Sequence, residues 1–403
     1  MMNILFIGVG FFPWLTSGEK NFFLKLFPII QQKTDVVVFS LNDYSEDLLL
    51  YETPDGDIPV YCVRRPFHRN YEQFFFFHAN GYTSYHHLHK PPREILEKLL
   101  STVRHLPQIK KIIKQHNVEI VHFMDNFGPS MPFLRSILPK EIKVTYSAAN
   151  YDPRGSQANY DRYLKFSLGR LDGLGVYTQA YANKLNQLGI KTPCFLTPWG
   201  VPVANKPLSD EQKRIIRNDL GIGKDQYLIL WSGYLQQIQE FDFYKTIQVA
   251  RQIIQTRPDI TFIFAFKPET FKEKYMTESG ERIKVISGVK QFGDILETAD
   301  LFCSLISNAR STVSPPLTWL EAMSKGTPVI TTHVGGVEEI ISHGENGYIA
   351  DTYDDVADII IQQAYRDNLI PLSKRARKTI QKHYTVQHAA DNYLNMWQQL
   401  LSK

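Results

Sequence analysis

At 403 residues the chain is too long for one ordinary hydrophobic core, and size alone suggests about two domains. Its 43% hydrophobic and 21% charged residues exclude wholesale disorder, and a net charge of +4 gives no reason to expect nucleic acid as a partner. The cysteines Cys62, Cys194 and Cys303 stand too far apart for a metal pattern or a disulfide framework, and no stretch reaches the ~18–20 apolar residues of a spanning helix, so a cytoplasmic protein is expected.

The opening run NILFIGV, ending among Gly8 and Gly10, reads as a buried parallel strand. It lacks the basic flank and small-residue cleavage site of an export signal. A loop reaching Gly18 leads into a helical pattern, EKNFFLKLFPII, with an interruption expected at Pro28. VVVFSL is a second strand; EIVHFM and KVTYSA are two more, with basic helical segments between them. Residues 66–92, PFHRNYEQFFFFHANGYTSYHHLHKPP, are rich in aromatics and histidine, and read as a partly buried insertion, a wrap around an acceptor, or a shallow membrane contact. The spacing of His86, His87 and His89 is not that of a metal site. The helical neighbour, 93–117, sets Arg93, Lys98, Arg104, Lys110, Lys111 and Lys114 against Glu94 and Glu97. A solvated helix face explains this; attraction to anionic lipid headgroups is the sharper alternative.

The pattern then restarts. YLILWSG runs into Gly233, the helical DFYKTIQVARQIIQT follows, and ITFIFAF, KVISGV, LFCSLI and PVITT supply further strands. The expected class is therefore α/β, with two doubly wound Rossmann-like domains facing an interdomain cleft, residues 1–199 and 200–384, joined near TPWGVPVANKP. Ligands of such sheets bind beyond the carboxyl ends of the strands.

The richest stretch is SPPLTWLEAMSKGTPVITTHVGGVEEIISHGENGYIA, residues 314–350. Ser314 reads as an N-cap with Pro315 and Pro316 in the first turn, and Gly326 as the C-cap. Such a helix aims the backbone N–H groups of Leu317 and Thr318, with the positive end of its dipole, at a phosphate. Glu321, one turn in, suits a ribose diol, and is equally an ordinary dipole-complementing residue.

GTPVITTHVGGVEEIISHGENGY, preceded by LEAMSK, resembles the donor-binding signature of the retaining glycosyltransferase family 4 (group 1), of GT-B fold. The loop at Gly18–Glu19, VEIVHFMDNFGP and TPWGVPV are similar to further parts of that family, and the helix around Tyr393 and Trp397, within 385–403, resembles one that returns to the first domain. The resemblance implies transfer of a sugar from a nucleotide-sugar donor to an acceptor hydroxyl with retention, without metal or other cofactor. It implies a donor on the second domain, with Glu321 on the ribose and Gly335 and Gly336 allowing close backbone approach. The acceptor, a carbohydrate, glycolipid or lipid-linked sugar, falls to the first domain, with Gly18, Ser147 and Asn150 as cleft candidates and a peripheral contact with the inner membrane face.

The chain also departs from the family. Val313 replaces the first of two paired glutamates, and Tyr234 and Gln239 stand where an arginine and a lysine grip the diphosphate. Lys267 and Arg310 are the substitutes by sequence position. Ser147 replaces a histidine; His122 and Asp125 are the remaining candidates for contact with the reacting sugar, Asp125 as a base, while His122 is equally a satisfied strand histidine. These departures keep open a non-catalytic nucleotide- or carbohydrate-binding protein, or a nucleotide-sugar epimerase.

Overall fold

A computed structural model describes residues 1–8, 18–43, 48–63, 92–124, 128, 130–148, 157–204, 206–233, 237–266, 273–288, 291–307 and 315–402. The chain falls into two units, Met1–Pro198 with Val386–Lys403, and Trp199–Thr385.

The strands of the first unit are β1 (Met2–Gly8), β2 (Thr34–Asp43), β3 (Leu48–Tyr51), β4 (Ile58–Val63), β5 (Ile120–Phe123), β6 (Lys143–Ala148), β7 (Gly173–Val176) and β8 (Cys194–Leu196). They form one sheet in the order β3-β4-β2-β1-β5-β6-β7-β8, parallel except for the antiparallel edge pair β3–β4. Ile4–Phe6, Val38, Phe39, Ile120 and Val121 are almost wholly buried, because helices cover both faces of a parallel sheet and leave no solvent side for polar alternation.

The helix Gly18–Gln31 runs through Pro28 without the expected interruption. A proline inside a helix costs ~3 kcal/mol. Phe22, Phe23, Leu26, Phe27 and Ile30 bury one whole face of this helix, and at about 1.5–3 kcal/mol per large apolar side chain that burial exceeds the cost. The helix packs against Val386–Leu401, whose Tyr393, Met396 and Trp397 are fully buried.

The second unit begins and ends at one place: the backbone N–H of Val201 donates to the carbonyl of Tyr384 at 2.9 Å. Its strands are β9 (Tyr227–Gly233), β10 (Ile260–Phe266), β11 (Ile283–Ser287), β12 (Leu301–Ser304), β13 (Val329–Thr332) and β14 (Gly347–Ala350). All pair in parallel in the order β11-β10-β9-β12-β13-β14. Counted from β9 this is 3-2-1-4-5-6, the doubly wound dinucleotide-type order, and its strand sequence reverses between β9 and β12. β10, ITFIFAF, is buried along its whole length. Rings of Trp231, Phe243, Phe264, Phe266 and Tyr275 build the core beside it. Both units are thus α/β layers around parallel sheets.

Candidate active site

The reversal between β9 and β12 is where a ligand crevice opens in such a sheet. β9 arrives there at Gly233, where a Cβ would stand 2.4 Å from the tip of the Trp231 ring, so glycine is required by packing at the strand end itself. β12 leaves through Ile306 and Ser307. Ile306 is fixed by Thr332, at the end of β13, whose hydroxyl accepts the Ile306 N–H at 2.9 Å and donates to its carbonyl at 2.6 Å. The Ser307 N–H donates to Asp242 Oδ1 at 3.0 Å, and the Tyr353 hydroxyl donates to the same oxygen at 3.2 Å. Asp242 is buried. Desolvation, and then the Asp242 charge, push the Tyr353 phenol well above its usual range.

The helix Leu317–Ser324 follows, with Pro316 at its N-cap and no side-chain cap hydrogen bond from that residue. It starts after both prolines, since Pro316 disfavours helical backbone at Pro315, and Ser314 lies outside the described residues. Trp319, Leu320, Ala322 and Met323 are buried, which leaves Leu317, Thr318 and Glu321 together on the half-buried face. The helix closes at Lys325, with Gly326 at φ +83° and the Thr327 N–H reaching back to the Ala322 carbonyl at 2.9 Å.

After β13 the chain passes His333, whose ring nitrogens lie 3.0 Å from Glu338 and 3.0 Å from Asp351. Gly335 is exposed, with open space where a Cβ would project. Gly336 has φ +82°, a left-handed conformation that favours glycine, and turns the chain into the short 3-10 helix Val337–Glu339. A concavity lined by His343, Tyr348, Asp351, Asp355 and Asp358 contains none of the candidate donor residues.

In the first unit the catalytic candidate His122 and the cleft candidate Ser147 both lie in the core. His122 is fully buried, with Nδ1 at 2.8 Å from Thr145 Oγ1 and Nε2 at 2.9 Å from Ser147 Oγ. Rings of Phe6, Phe23, Tyr393 and Trp397 surround it at 5.3–6.1 Å. Burial lowers its pKa to about 3, so the ring is neutral and has no free nitrogen for proton transfer. Ser147 is equally buried, with its hydroxyl 2.6 Å from the Tyr393 hydroxyl. Gly18 opens the helix Gly18–Gln31. Asp125, Asn150, Lys267, Arg310, Tyr234, Val313 and the insertion 66–91 lie outside the described residues.

Asp242 carries no motif, and His333, though it lies within GTPVITTHVGG, is not distinguished there by sequence. A carboxylate set between two phenylalanines in FDF was the available signal for Asp242, since a charge on a buried helix face needs partners. Among the described residues, no three His, Cys, Asp or Glu side chains gather as a metal site.

Residues 212–383 match the family model described as glycosyl transferases group 1. N-acetyl-alpha-D-glucosaminyl L-malate synthase of Bacillus anthracis is 19% identical over 304 residues, 73% of this chain and 78% of the relative. Crystal structures of similar fold include Anabaena HepE in complex with UDP and glucose, at 14% identity and TM-score 0.69 over 99% of this chain and 100% of HepE. Sucrose-phosphate synthase from Thermosynechococcus elongatus superposes with TM-score 0.72 at 17% identity, over 100% of each chain. Residues 212–383 thus match the glycosyl transferases group 1 model, in a chain whose two parallel-sheet units have the fold of GT-B glycosyltransferases.

Proposed function

We propose that the chain is a retaining, metal-independent glycosyltransferase of family 4 that moves a sugar from a nucleotide-sugar donor to an acceptor hydroxyl. The observation that carries this reading is the uncapped helix Leu317–Ser324 beyond the strand reversal of the second unit, with Glu321 one turn inside, within the matched residues 212–383. Backbone N–H groups at Leu317 and Thr318 suit a diphosphate, and the Glu321 carboxylate suits the ribose diol. Lys267 and Arg310 supply the cations that Tyr234 and Gln239 do not. The solved relatives hold such ligands: HepE was crystallised with UDP-glucose, and trehalose-6-phosphate from E. coli with UDP-2-fluoro glucose.

In the reaction the acceptor oxygen forms a bond to the anomeric carbon as the carbon–oxygen bond to the diphosphate breaks. The diphosphate leaves with the bonding electrons and accepts the hydroxyl proton on the same face. Helix-end amides stabilise its developing charge. With His122 in the core, the N-terminal unit contributes acceptor binding, and Asp125 is the candidate that remains there for contact with the acceptor hydroxyl. The basic helix Pro92–Gln115 exposes Arg104, Lys110, Lys111 and Lys114, and supports contact with an anionic membrane surface that presents the acceptor. Among the described residues no helix is long and apolar enough to cross a membrane.

The test is a calorimetric screen of nucleoside diphosphates and their sugars, followed by NMR of the product's anomeric configuration, with and without chelator. Transfer with retention in chelator supports the reading. Inversion, or epimerisation of the donor without acceptor, rejects it; binding without turnover favours a non-catalytic protein.

A further inference from the structure

Burying a carboxylate costs several kcal/mol unless donors satisfy it, and Asp242 is a buried carboxylate at the carboxyl end of the second sheet. Its donors come from two separate connections: the Ser307 N–H after β12 and the Tyr353 hydroxyl after β14. Tyr353 thereby braces the carboxylate that holds Ser307. One residue earlier, Thr332 grips both backbone polar groups of Ile306. Two consecutive residues leaving β12 are therefore pinned by side chains from two other elements, the helix Gln237–Thr256 and the end of β13, with Tyr353 of the helix Tyr353–Gln363 bracing Asp242.

We propose that Asp242 and Thr332 are positioning residues for donor binding. They fix the point from which the chain departs toward the helix Leu317–Ser324, and so fix where that helix presents the N–H groups of Leu317 and Thr318. The inference rests on the donor-site reading given above. Neither side chain contacts the donor. Each acts through Ile306–Ser307, which lies at the reversal between β9 and β12 where a bound nucleotide is held. A departure point free to shift by an ångström would loosen phosphate contacts without unfolding the sheet, because productive placement tolerates only about 0.5 Å.

The experiment uses the full chain and uridine diphosphate as the first probe, with the other nucleoside diphosphates as further arms. Thr332→Val keeps the shape of the side chain and removes both hydroxyl bonds to Ile306; Asp242→Ala removes both acceptor bonds. Asp242→Asn retains an amide oxygen for the Ser307 N–H. Melting temperature and calorimetric affinity are read together, and in a transfer assay donor KM is separated from acceptor KM. The expected result is about tenfold weaker nucleotide binding and a higher donor KM for Thr332→Val and Asp242→Ala, with acceptor KM unchanged. Asp242→Asn should restore affinity to within about twofold of wild type. If Asp242→Ala fails to fold, Thr332→Val decides the matter alone. Folded variants that bind as wild type does would overturn the positioning role and leave the donor-site reading intact. A wild-type chain that binds no nucleoside diphosphate would overturn both.

Discussion

Acidification should destabilise the N-terminal unit, most strongly through His122. The ring is fully buried among four aromatic side chains, and its pKa falls from 6.5 to about 3 because burial penalises the imidazolium. Thr145 and Ser147 bond both ring nitrogens but bring no negative charge to offset it. The unfolded chain takes up this proton near pH 6.5, whereas the folded chain resists until about 3, so the unfolded state binds more protons between those values. Stability is then complete above pH 6.5 and declines as the pH falls toward 3. At ~1.36 kcal/mol per pH unit, the full shift is worth about 4–5 kcal/mol, of which about 2–3 kcal/mol is lost by about pH 4.5. Full burial removes any need to discount for solvent screening. The assay is urea unfolding at a series of pH values for wild type and His122→Gln, which keeps a hydrogen-bonding side chain but cannot titrate. All other ionisable groups are common to both proteins, so the difference between the curves isolates His122. The two proteins should converge toward acid, by about 2–3 kcal/mol between about pH 7.5 and 4.5. Parallel stability curves across that range would refute the argument.

Glu321→Gln should retain the melting temperature and weaken binding of the preferred nucleotide by about tenfold, since one charge-assisted acceptor for the ribose is lost; unchanged calorimetric affinity removes Glu321 from the site. Arg257 lies between the rings of Tyr227 and Tyr365, 5.3 and 4.2 Å from their centroids, and bonds Asp259 through two nitrogens at 2.9 and 2.7 Å. Arg257→Lys should therefore destabilise the second unit by about 1–3 kcal/mol in chemical denaturation, because an ammonium can neither stack nor fork. Gly233→Ala should cost about 1–3 kcal/mol by driving a methyl group into the Trp231 ring, with a change in tryptophan fluorescence as the readout; a wild-type melting curve would show that the strand end has room.

The sequence alone determined the strands that are buried on both faces. YLILWSG coincides with β9 residue for residue, and KVTYSA with β6, because a covered parallel strand must be apolar nearly throughout and its local composition announces it. The face of Leu317–Ser324 and the turn at Gly326 were legible for a similar reason, since helical spacing and a left-handed glycine are local demands. Short strands such as β7, GLGV, and β8, CFL, carried no such signal; their burial comes from neighbours far along the chain. Pro28 misled because a local backbone penalty was weighed without the aromatic face that tertiary packing buries around it. His122 stood equally between site and core in the sequence. Only the fold brings Thr145, Ser147, Tyr393 and Trp397 around its ring, and that enclosure makes it a neutral core residue. Asp242 shows the converse: an unremarked carboxylate acquires its place because three strand ends converge on it, and convergence is a property of the sheet order, which no local stretch of sequence encodes.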